Sequence, residues 1–182
     1  LDTRNSSTME FGALSGVEII NDVSGLENDR LSIDILKKYK KNLIIMHMPG
    51  NPNTMMKNNN YQNVVLDVYD YLEKKINLCE SKGIDRSKII IDPGIGFGKN
   101  LSQNIEIMQN IQQFKIKKCG VLLGASRKSW ISGIDKSDVN NRLGGSIASA
   151  LYCYKKGVNM FRVHDVKETY QTLKVYKKLC SM

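Results

Sequence analysis

Five short apolar runs, separated by longer amphipathic stretches, constrain the fold of this chain more than any other feature. The runs occupy residues 17–20, 43–46, 88–91, 120–123 and 159–163. Each is rich in large aliphatic side chains, as in a parallel strand that is buried on both faces. Glu18 and Arg162 place charges inside two of these runs, and a charge in a buried strand requires an explanation.

The stretches between the runs repeat apolar residues every three or four positions, which predicts amphipathic helices. The predicted helices occupy residues 8–15, 32–41, 61–82, 102–114, 140–156 and 166–179. Gly16, Gly83 and Gly157 each follow such a stretch and precede a run, where a helix commonly ends in a left-handed residue. This regular alternation predicts a parallel α/β fold.

Polar residues follow every predicted strand, and they favour a barrel over an open sheet. The residues at or just beyond the strand ends are Asn21, Asp22, His47, Asp92, Ser126, Arg127, Lys128, His164 and Asp165. A (β/α)8 barrel gathers all strand ends around one mouth, whereas an open doubly wound sheet concentrates function at one switch point. We therefore expect an α/β TIM barrel.

Composition narrows the class of protein. The 182 residues suit one domain, and the net charge of +9 raises the question of nucleic-acid binding. The lysines cluster in pairs, such as Lys117 with Lys118, near predicted helix C-termini and without interleaved aromatic residues, so no nucleic-acid partner is expected. No apolar run is long enough to span a membrane, and the four scattered cysteines are typical of reduced thiols in a cytoplasmic protein.

Residues 92–99 combine a carboxylate at a strand end with three glycines. They do not form a Walker motif, because Asn100 stands where that motif needs Ser or Thr, and they lack the spacing of a dinucleotide-binding fingerprint. The glycines let a ligand lie against the backbone. Asp92 is therefore interpreted as a ring-binding carboxylate, with a purely structural turn as the alternative.

Residues 126–128, Ser-Arg-Lys, predict an anion-binding start of a helix. Ser126 is not in a nucleophile elbow, because glycine is absent two positions later, and the sequence ties no base to it. Two cations and free backbone N–H groups suit an anion better. A basic surface turn is the alternative.

Arg162 and His164 lie two residues apart, on the same side of a predicted strand. An oxyanion such as a phosphate would satisfy a buried arginine. The alternative is an internal ion pair of Arg162 with Glu18 or Asp165. His47, in the loop that contains Pro49 and Pro52, is interpreted as a structural histidine without a chemical role.

Taken in order, five segments are similar to the successive strand-end motifs of the dihydropteroate synthase family. They are residues 19–24 (IINDVS), 46–52 (MHMPGNP), 92–99 (DPGIGFGK), 126–129 (SRKS) and 162–166 (RVHDV). Asp2 and Thr3 resemble the end of the family's third strand. The resemblance implies a partial pterin-binding (β/α)8 barrel, with residues 1–182 as one domain that holds about the last five strands.

The resemblance also implies a role for individual residues. Those expected to bind the pterin are Asp2, Asn21, Met46, Asp92, Lys128 and Arg162. Phe97 and Ser126 would bind p-aminobenzoate, and Arg162 and His164 would bind the leaving diphosphate. Lys128, Arg162 and His164 would be the catalytic residues.

The implied reaction is displacement of diphosphate from 6-hydroxymethyl-7,8-dihydropterin diphosphate by p-aminobenzoate, which gives 7,8-dihydropteroate in folate biosynthesis. Catalysis would then depend on stabilising the departing anion. Mg²⁺ is the implied cofactor, and its protein ligand is expected outside this segment. The family commonly forms homodimers and is a sulfonamide target.

The family's first two strands and most of the third have no counterpart here, so we expect an N-terminally truncated chain that is inactive alone. One alternative is a non-enzymatic fragment that folds or binds pterin weakly. Another is a methyltransferase that uses methyltetrahydrofolate. That class has no diphosphate to hold, so it leaves Arg162, His164 and the basic run at 126–128 unexplained.

Overall fold

Five parallel strands form the centre of the fold. The computed structural model describes residues 1–50, 53–57, 59–116 and 118–181. The strands are β1 (Ile19–Asp22), β2 (Asn42–Met46), β3 (Ile89–Asp92), β4 (Gly120–Leu123) and β5 (Met160–Phe161), paired in the order β1-β2-β3-β4-β5. A doubly wound sheet reverses its strand order at a switch point, so this sequential order confirms the partial α/β barrel.

One helix precedes β1, five lie between successive strands, and one follows β5. They are α1 (Ser6–Leu14), α2 (Ser32–Tyr39), α3 (Val64–Ser81), α4 (Leu101–Gln109), α5 (Ser129–Asp135), α6 (Leu143–Lys155) and α7 (Val166–Leu179). Six of them match predicted helices within a few residues. The seven-residue α5 buries only Ile131 and is too short to show a helical period. The predicted helix 102–114 divides into α4 and a separate 3₁₀ turn.

Three helices end in the same way, and each turn directs the chain toward the next strand. Gly16, Gly83 and Gly157 have φ values of 89, 88 and 90° and follow α1, α3 and α6. The residue after each glycine donates a backbone hydrogen bond to the last helical turn: Val17 to Gly12, Ile84 to Cys79 and Val158 to Cys153. This pairing satisfies carbonyls that a helix end otherwise leaves free, and it confirms the predicted helix ends.

The sheet has two apolar faces, one convex and one concave, and the predicted site residues continue the concave face. On the convex face, residues such as Ile20, Ile45 and Ile91 join the main core beneath the helices. On the concave face, the side chains of Ile44, Ile90 and Leu122 form a second cluster with Ile19 and Met160. Successive side chains of a strand alternate between faces. The next concave positions are therefore Asn21, Met46, Asp92, Gly124 and Arg162, a largely polar layer above an apolar one.

The first residues of the chain lie beside β1. The backbone N–H of Thr3 donates to the carbonyl of Asn21, Asn21 donates to Leu1, and Asp2 forms a parallel bridge with Asn21. Asp2 is thereby placed beside Asn21 at the same end of the sheet, as a strand end next to β1 would be.

Glu18 and Arg162, the charges expected inside buried strands, lie outside the strands. Glu18 precedes β1 and is exposed, and Arg162 follows β5 and is half-buried. The prediction that these charges interrupt buried strands is therefore wrong. Of the other predicted features, Pro52 of the loop and Lys117 of a lysine pair lie outside the described residues. No helix in the described ranges is long and apolar enough to cross a membrane.

Candidate functional site

Four predicted site residues form one chain of hydrogen bonds across the concave face. The amide Nδ2 of Asn21 donates to Oδ2 of Asp2 at 3.0 Å. Nη1 of Arg162 reaches Oδ1 of Asn21 at 3.4 Å, and Nη2 donates to Oδ2 of Asp92 at 2.7 Å. The chain extends from the segment beside β1 to the end of β5. Strands that are far apart in sequence thus bring alternating donors and acceptors to one rim.

Arg162 reaches Asp92 by passing over Gly124, the residue that follows β4. A Cβ atom at Gly124 would lie 2.7 Å from Nη2 of Arg162, closer than such atoms approach without one of them moving. Glycine leaves the space that the guanidinium occupies in this arrangement, and a side chain there would displace it. Arg162 does form an internal ion pair, which is the alternative to an oxyanion, but its partner is Asp92 and the expected partners, Glu18 or Asp165, are wrong. Sequence reasoning missed Gly124, whose only signal is its concave position two residues after Leu122.

Asp92 is the buried acceptor of this layer. Its side chain is only 1% exposed, and its second oxygen, Oδ1, accepts the backbone N–H of Gly94 at 2.8 Å. A carboxylate has about four lone-pair positions. Two of them are used here, so two further positions could accept hydrogen bonds from a ligand that displaces part of the Arg162 contact.

Lys128 lies over the loop that follows Asp92. It is the residue that precedes the first turn of α5, and its Nζ lies 4.4 Å from the centre of the Phe97 ring and donates to the carbonyl of Ile95. Burial lowers the pKa of Lys128 from 10.5 to about 8, although the carboxylate of Asp92 favours the charged form. Lys128 therefore brings a poorly solvated cation into the neighbourhood of Asp92 and Phe97.

Ser126 and His164 contact each other at the ends of β4 and β5. Nδ1 of His164 lies 3.1 Å from Oγ of Ser126, which also accepts the backbone N–H of His164 at 3.3 Å. The prediction that no base is tied to Ser126 is therefore wrong. A nucleophilic serine also needs a third group that orients the base. The neighbouring carboxylate, Asp165, is bound to Arg127 instead.

Arg127 does not point into the site. Its Nε donates to Oδ2 of Asp165 at 2.9 Å, and its backbone has a φ of 54°. The prediction that two cations of the 126–128 run converge on an anion is therefore wrong, because only Lys128 faces the site. Arg127 instead fastens the loop after β4 to the segment after β5.

Met46 and His47 follow one another at the end of β2 with different surroundings. Met46 pairs with Asp92 in the strand register and is fully buried, so it offers no accessible surface to a ring in this arrangement. His47 packs edge-on against the Tyr71 ring, with 4.9 Å between the ring centres. Burial and Lys99 lower the pKa of His47 to about 2. His47 is therefore a neutral structural residue, in agreement with its interpretation from the sequence.

Lys99 was missed by sequence reasoning. It ends the predicted glycine-rich motif, yet it is buried, and its Nζ lies 2.9 Å from Nδ1 of His47. Local sequence patterns do not indicate that this lysine is buried, because its partners are two backbone carbonyls and a histidine at the end of a different strand. Among the described residues, no group of three histidine, cysteine or acidic side chains is placed to hold a metal ion.

Comparison with known proteins points to one family. The sequence model of the pterin binding enzymes matches residues 1–164. The dihydropteroate synthase of Haemophilus influenzae is 38% identical over 177 residues, which is 97% of this chain and 64% of that protein. The chain thus spans somewhat less than two thirds of the length of this relative.

Solved structures agree. The dihydropteroate synthase of Thermus thermophilus has a TM-score of 0.93 and 33% identity, and the match covers 99% of this chain and 72% of that one. The Xanthomonas albilineans enzyme in complex with 7,8-dihydropteroate has a TM-score of 0.91 and 30% identity, covering 100% and 66%. The chain therefore belongs to the pterin binding enzyme family, in which the proteins it resembles are dihydropteroate synthases.

Proposed function

We propose that this protein is a dihydropteroate synthase and that the described residues bind the pterin, p-aminobenzoate and diphosphate groups of its reaction. The observation that carries the proposal is the hydrogen-bonded chain through Asp2, Asn21, Arg162 and Asp92, with Lys128 close by. It sets acceptors and donors around the concave face of a barrel, at the strand ends where barrel enzymes bind their substrates.

The pterin is assigned to Asp92. A pterin edge presents amino and ring N–H donors beside an oxo group and a ring nitrogen, and it needs acceptors and donors of the opposite sense. The free lone pairs of Asp92 suit the donors, and Lys128 suits the oxo group and ring nitrogen. Asn21 supplies an amide, and Asp2 lies at the far end of the same chain. Contact of Met46 with the ring stays a prediction that requires its side chain to move.

The arylamine is assigned to the space beside Phe97 and Ser126. The aromatic face of Phe97 and the hydroxyl of Ser126 suit the ring and the carboxylate of p-aminobenzoate. The solved relative that holds 7,8-dihydropteroate, in which both parts are joined, supports a shared site. His164, which contacts Ser126 and is exposed, is assigned to the leaving diphosphate.

The proposed step is displacement at the pterin methylene. The carbon–oxygen bond breaks, and diphosphate leaves with the electron pair. The arylamine nitrogen forms the new carbon–nitrogen bond and releases one proton to solvent. The electron-rich dihydropterin stabilises positive charge on the methylene, so bond breaking leads. Arg162 and His164 stabilise the departing anion, and no covalent nucleophile is required.

Further features of the proposal come from the resemblance to the family: dependence on Mg²⁺, a homodimer, a cytoplasmic location and sensitivity to sulfonamides. A Yersinia pestis relative solved with a sulfonamide drug supports the last. The described residues do not form a metal site by themselves, so no step above is assigned to a metal. Removal of divalent ions with EDTA tests the first feature, and light scattering tests the second.

Calorimetric titration of the purified chain with 6-hydroxymethyl-7,8-dihydropterin diphosphate tests the proposal. We expect saturable binding that is at least about tenfold weaker in Asp92→Asn and unchanged in Asp70→Asn, which alters an exposed carboxylate on α3. Absence of binding overturns the proposal. Dihydropteroate formation is assayed separately. Binding without turnover favours the second candidate, a pterin-binding chain that is not active alone, which the 64% coverage of the relatives supports.

A further inference from the structure

Lys99 is a buried lysine that lies against the loop after β3. It is only 4% exposed, although the next residue, Asn100, is at the surface. Its Nζ donates to the carbonyls of Gly94 and Phe97, both at 3.0 Å, and lies 2.9 Å from Nδ1 of His47. Two of these contacts are with the loop and one is with the histidine that follows β2. None of the three is with a carboxylate.

The loop that Lys99 contacts is intrinsically pliable. Gly94, Gly96 and Gly98 all have positive φ values, of 73, 80 and 59°, and glycine leaves the backbone more conformations than any other residue. The loop is nevertheless closely packed: a Cβ at Gly94 would lie 2.0 Å from the carbonyl oxygen of His47, and one at Gly96 would lie 2.9 Å from the stem of Lys128. A flexible loop that is packed this closely needs contacts that stabilise one backbone conformation.

The three contacts of Lys99 can persist in either protonation state. As an ammonium, Lys99 donates to both carbonyls and to Nδ1 of a neutral His47. As a neutral amine, it still donates to both carbonyls and accepts from His47, provided that the histidine proton moves to Nδ1. Burial lowers the pKa of Lys99 from 10.5 to about 7, while Asp92 favours the charged form and Lys128 opposes it. The hydrogen bonds between Lys99 and the loop therefore do not depend on whether Lys99 is charged.

We propose that Lys99 is a positioning residue that fixes residues 93–98 so that the Phe97 ring and the Ile95 carbonyl face Lys128. Lys99 touches no substrate in this scheme. Lys99 acts through the backbone on two groups of the site. One is the Phe97 ring, which lies beneath the Lys128 ammonium, and the other is the Ile95 carbonyl, which accepts a hydrogen bond from Lys128. The link to catalysis rests on the proposed function, in which Phe97 binds p-aminobenzoate and Lys128 binds the pterin.

Hydrogen–deuterium exchange of Lys99→Met tests the positioning role without any ligand. In the wild type, the amides of Gly94, Gly96 and Phe97 are hydrogen-bonded to Asp92, Asn104 and Gly94. We expect exchange at these amides to rise by about tenfold or more, with α6 unchanged, whereas the control Lys82→Met, at an exposed lysine, changes neither. Unchanged exchange in the loop, or a uniform rise over the whole sheet, overturns the inference.

A second pair of variants keeps the test independent of the folding of Lys99→Met. His47→Asn retains an acceptor near the Nδ1 position, and His47→Leu removes it. We expect loop exchange close to wild type in the first and faster in the second; equal exchange in both overturns the role of this contact. In binding assays, Lys99→Met should lose more affinity for p-aminobenzoate, measured with pterin present, than for pterin. If the wild type binds neither compound while loop exchange responds as expected, the proposed function fails and the positioning role stands.

Discussion

Arg162 and Asp92 are 70 residues apart in the sequence, yet their side chains meet at 2.7 Å across the concave face of the sheet. Asp92 is almost fully buried and Arg162 is 39% exposed. The carboxylate is thus compensated by a cation that solvent can still reach. A flat ligand that binds Asp92 can replace part of the arginine contact. Asp92 would then be paired with the ligand, and Arg162 would still be solvated.

Asp92→Asn should weaken both folding and pterin binding. The substitution removes the anion that faces Arg162, and it leaves a neutral amide where the proposed pterin site needs an anionic acceptor. We expect a loss of about 1–3 kcal/mol in the free energy of unfolding, below the cost of breaking a fully buried pair because Arg162 is half-exposed. Urea unfolding measures this loss. A free energy equal to that of wild type would contradict a stabilising ion pair.

Gly124→Ala should disturb the site through Arg162. The new methyl group would lie 2.7 Å from Nη2 of Arg162, so the guanidinium has to move away from Asp92. We expect pterin affinity to fall by roughly tenfold, as measured by calorimetry. Gly144→Ala is the matched control, because a Cβ there meets no atom within 4 Å and alanine favours a helix. In an Arg162→Ala background the Gly124→Ala effect should vanish; its persistence would place the cause elsewhere.

Pterin affinity should decline as the pH rises through about 8. In the proposed pterin site Lys128 donates as a cation. Its pKa in the folded chain is lowered to about 8, so this donor loses its charge above that pH. Lys128→Arg should flatten the profile, because arginine stays charged. Calorimetric titrations from roughly pH 7 to roughly pH 9.5 measure the effect. A decline that Lys128→Arg retains would point to another group.

The same residue predicts a change of stability in the opposite direction. Between about 8 and its ordinary pKa near 10.5, Lys128 is protonated in the unfolded chain and largely neutral in the folded chain. Stability rises with pH wherever the unfolded state binds more protons. The free energy of unfolding of wild type relative to Lys128→Met should therefore increase over this window. A constant difference would show that burial does not lower the pKa.

Breaking the pair between Arg127 and Asp165 should loosen the ends of β4 and β5 together. The guanidinium of Arg127 donates to the carboxylate of Asp165 and holds the pKa of that carboxyl below its ordinary value. The pair therefore stabilises the fold at pH values above the ordinary Asp pKa, and this stability is lost as the pH falls through the lowered one. A double-mutant cycle with Arg127→Ala and Asp165→Ala should give a favourable coupling at neutral pH that disappears in strong acid.

The fold was predictable from local patterns, whereas the partners within the site were not. Alternating strands and helices, and polar residues at strand ends such as Asp92, are properties of short segments. The pairing of Arg162 with Asp92 depends on the curvature of the sheet and on the absence of a side chain at Gly124. The burial of Lys99 depends on carbonyls whose direction no sequence pattern reveals. Arg127 shows the same limit: a basic residue beside the site turns away because Asp165 is within reach.

The sequential order of the strands has a consequence for synthesis on the ribosome. Each new strand pairs with the one made just before it, so the sheet can grow in the direction of translation with short-range steps. Arg162 directly follows the last strand. In this order of assembly, the Asp92 carboxylate is present once β4 has formed. Its ion-pair partner Arg162 is added only after α5, α6 and β5 have been synthesised.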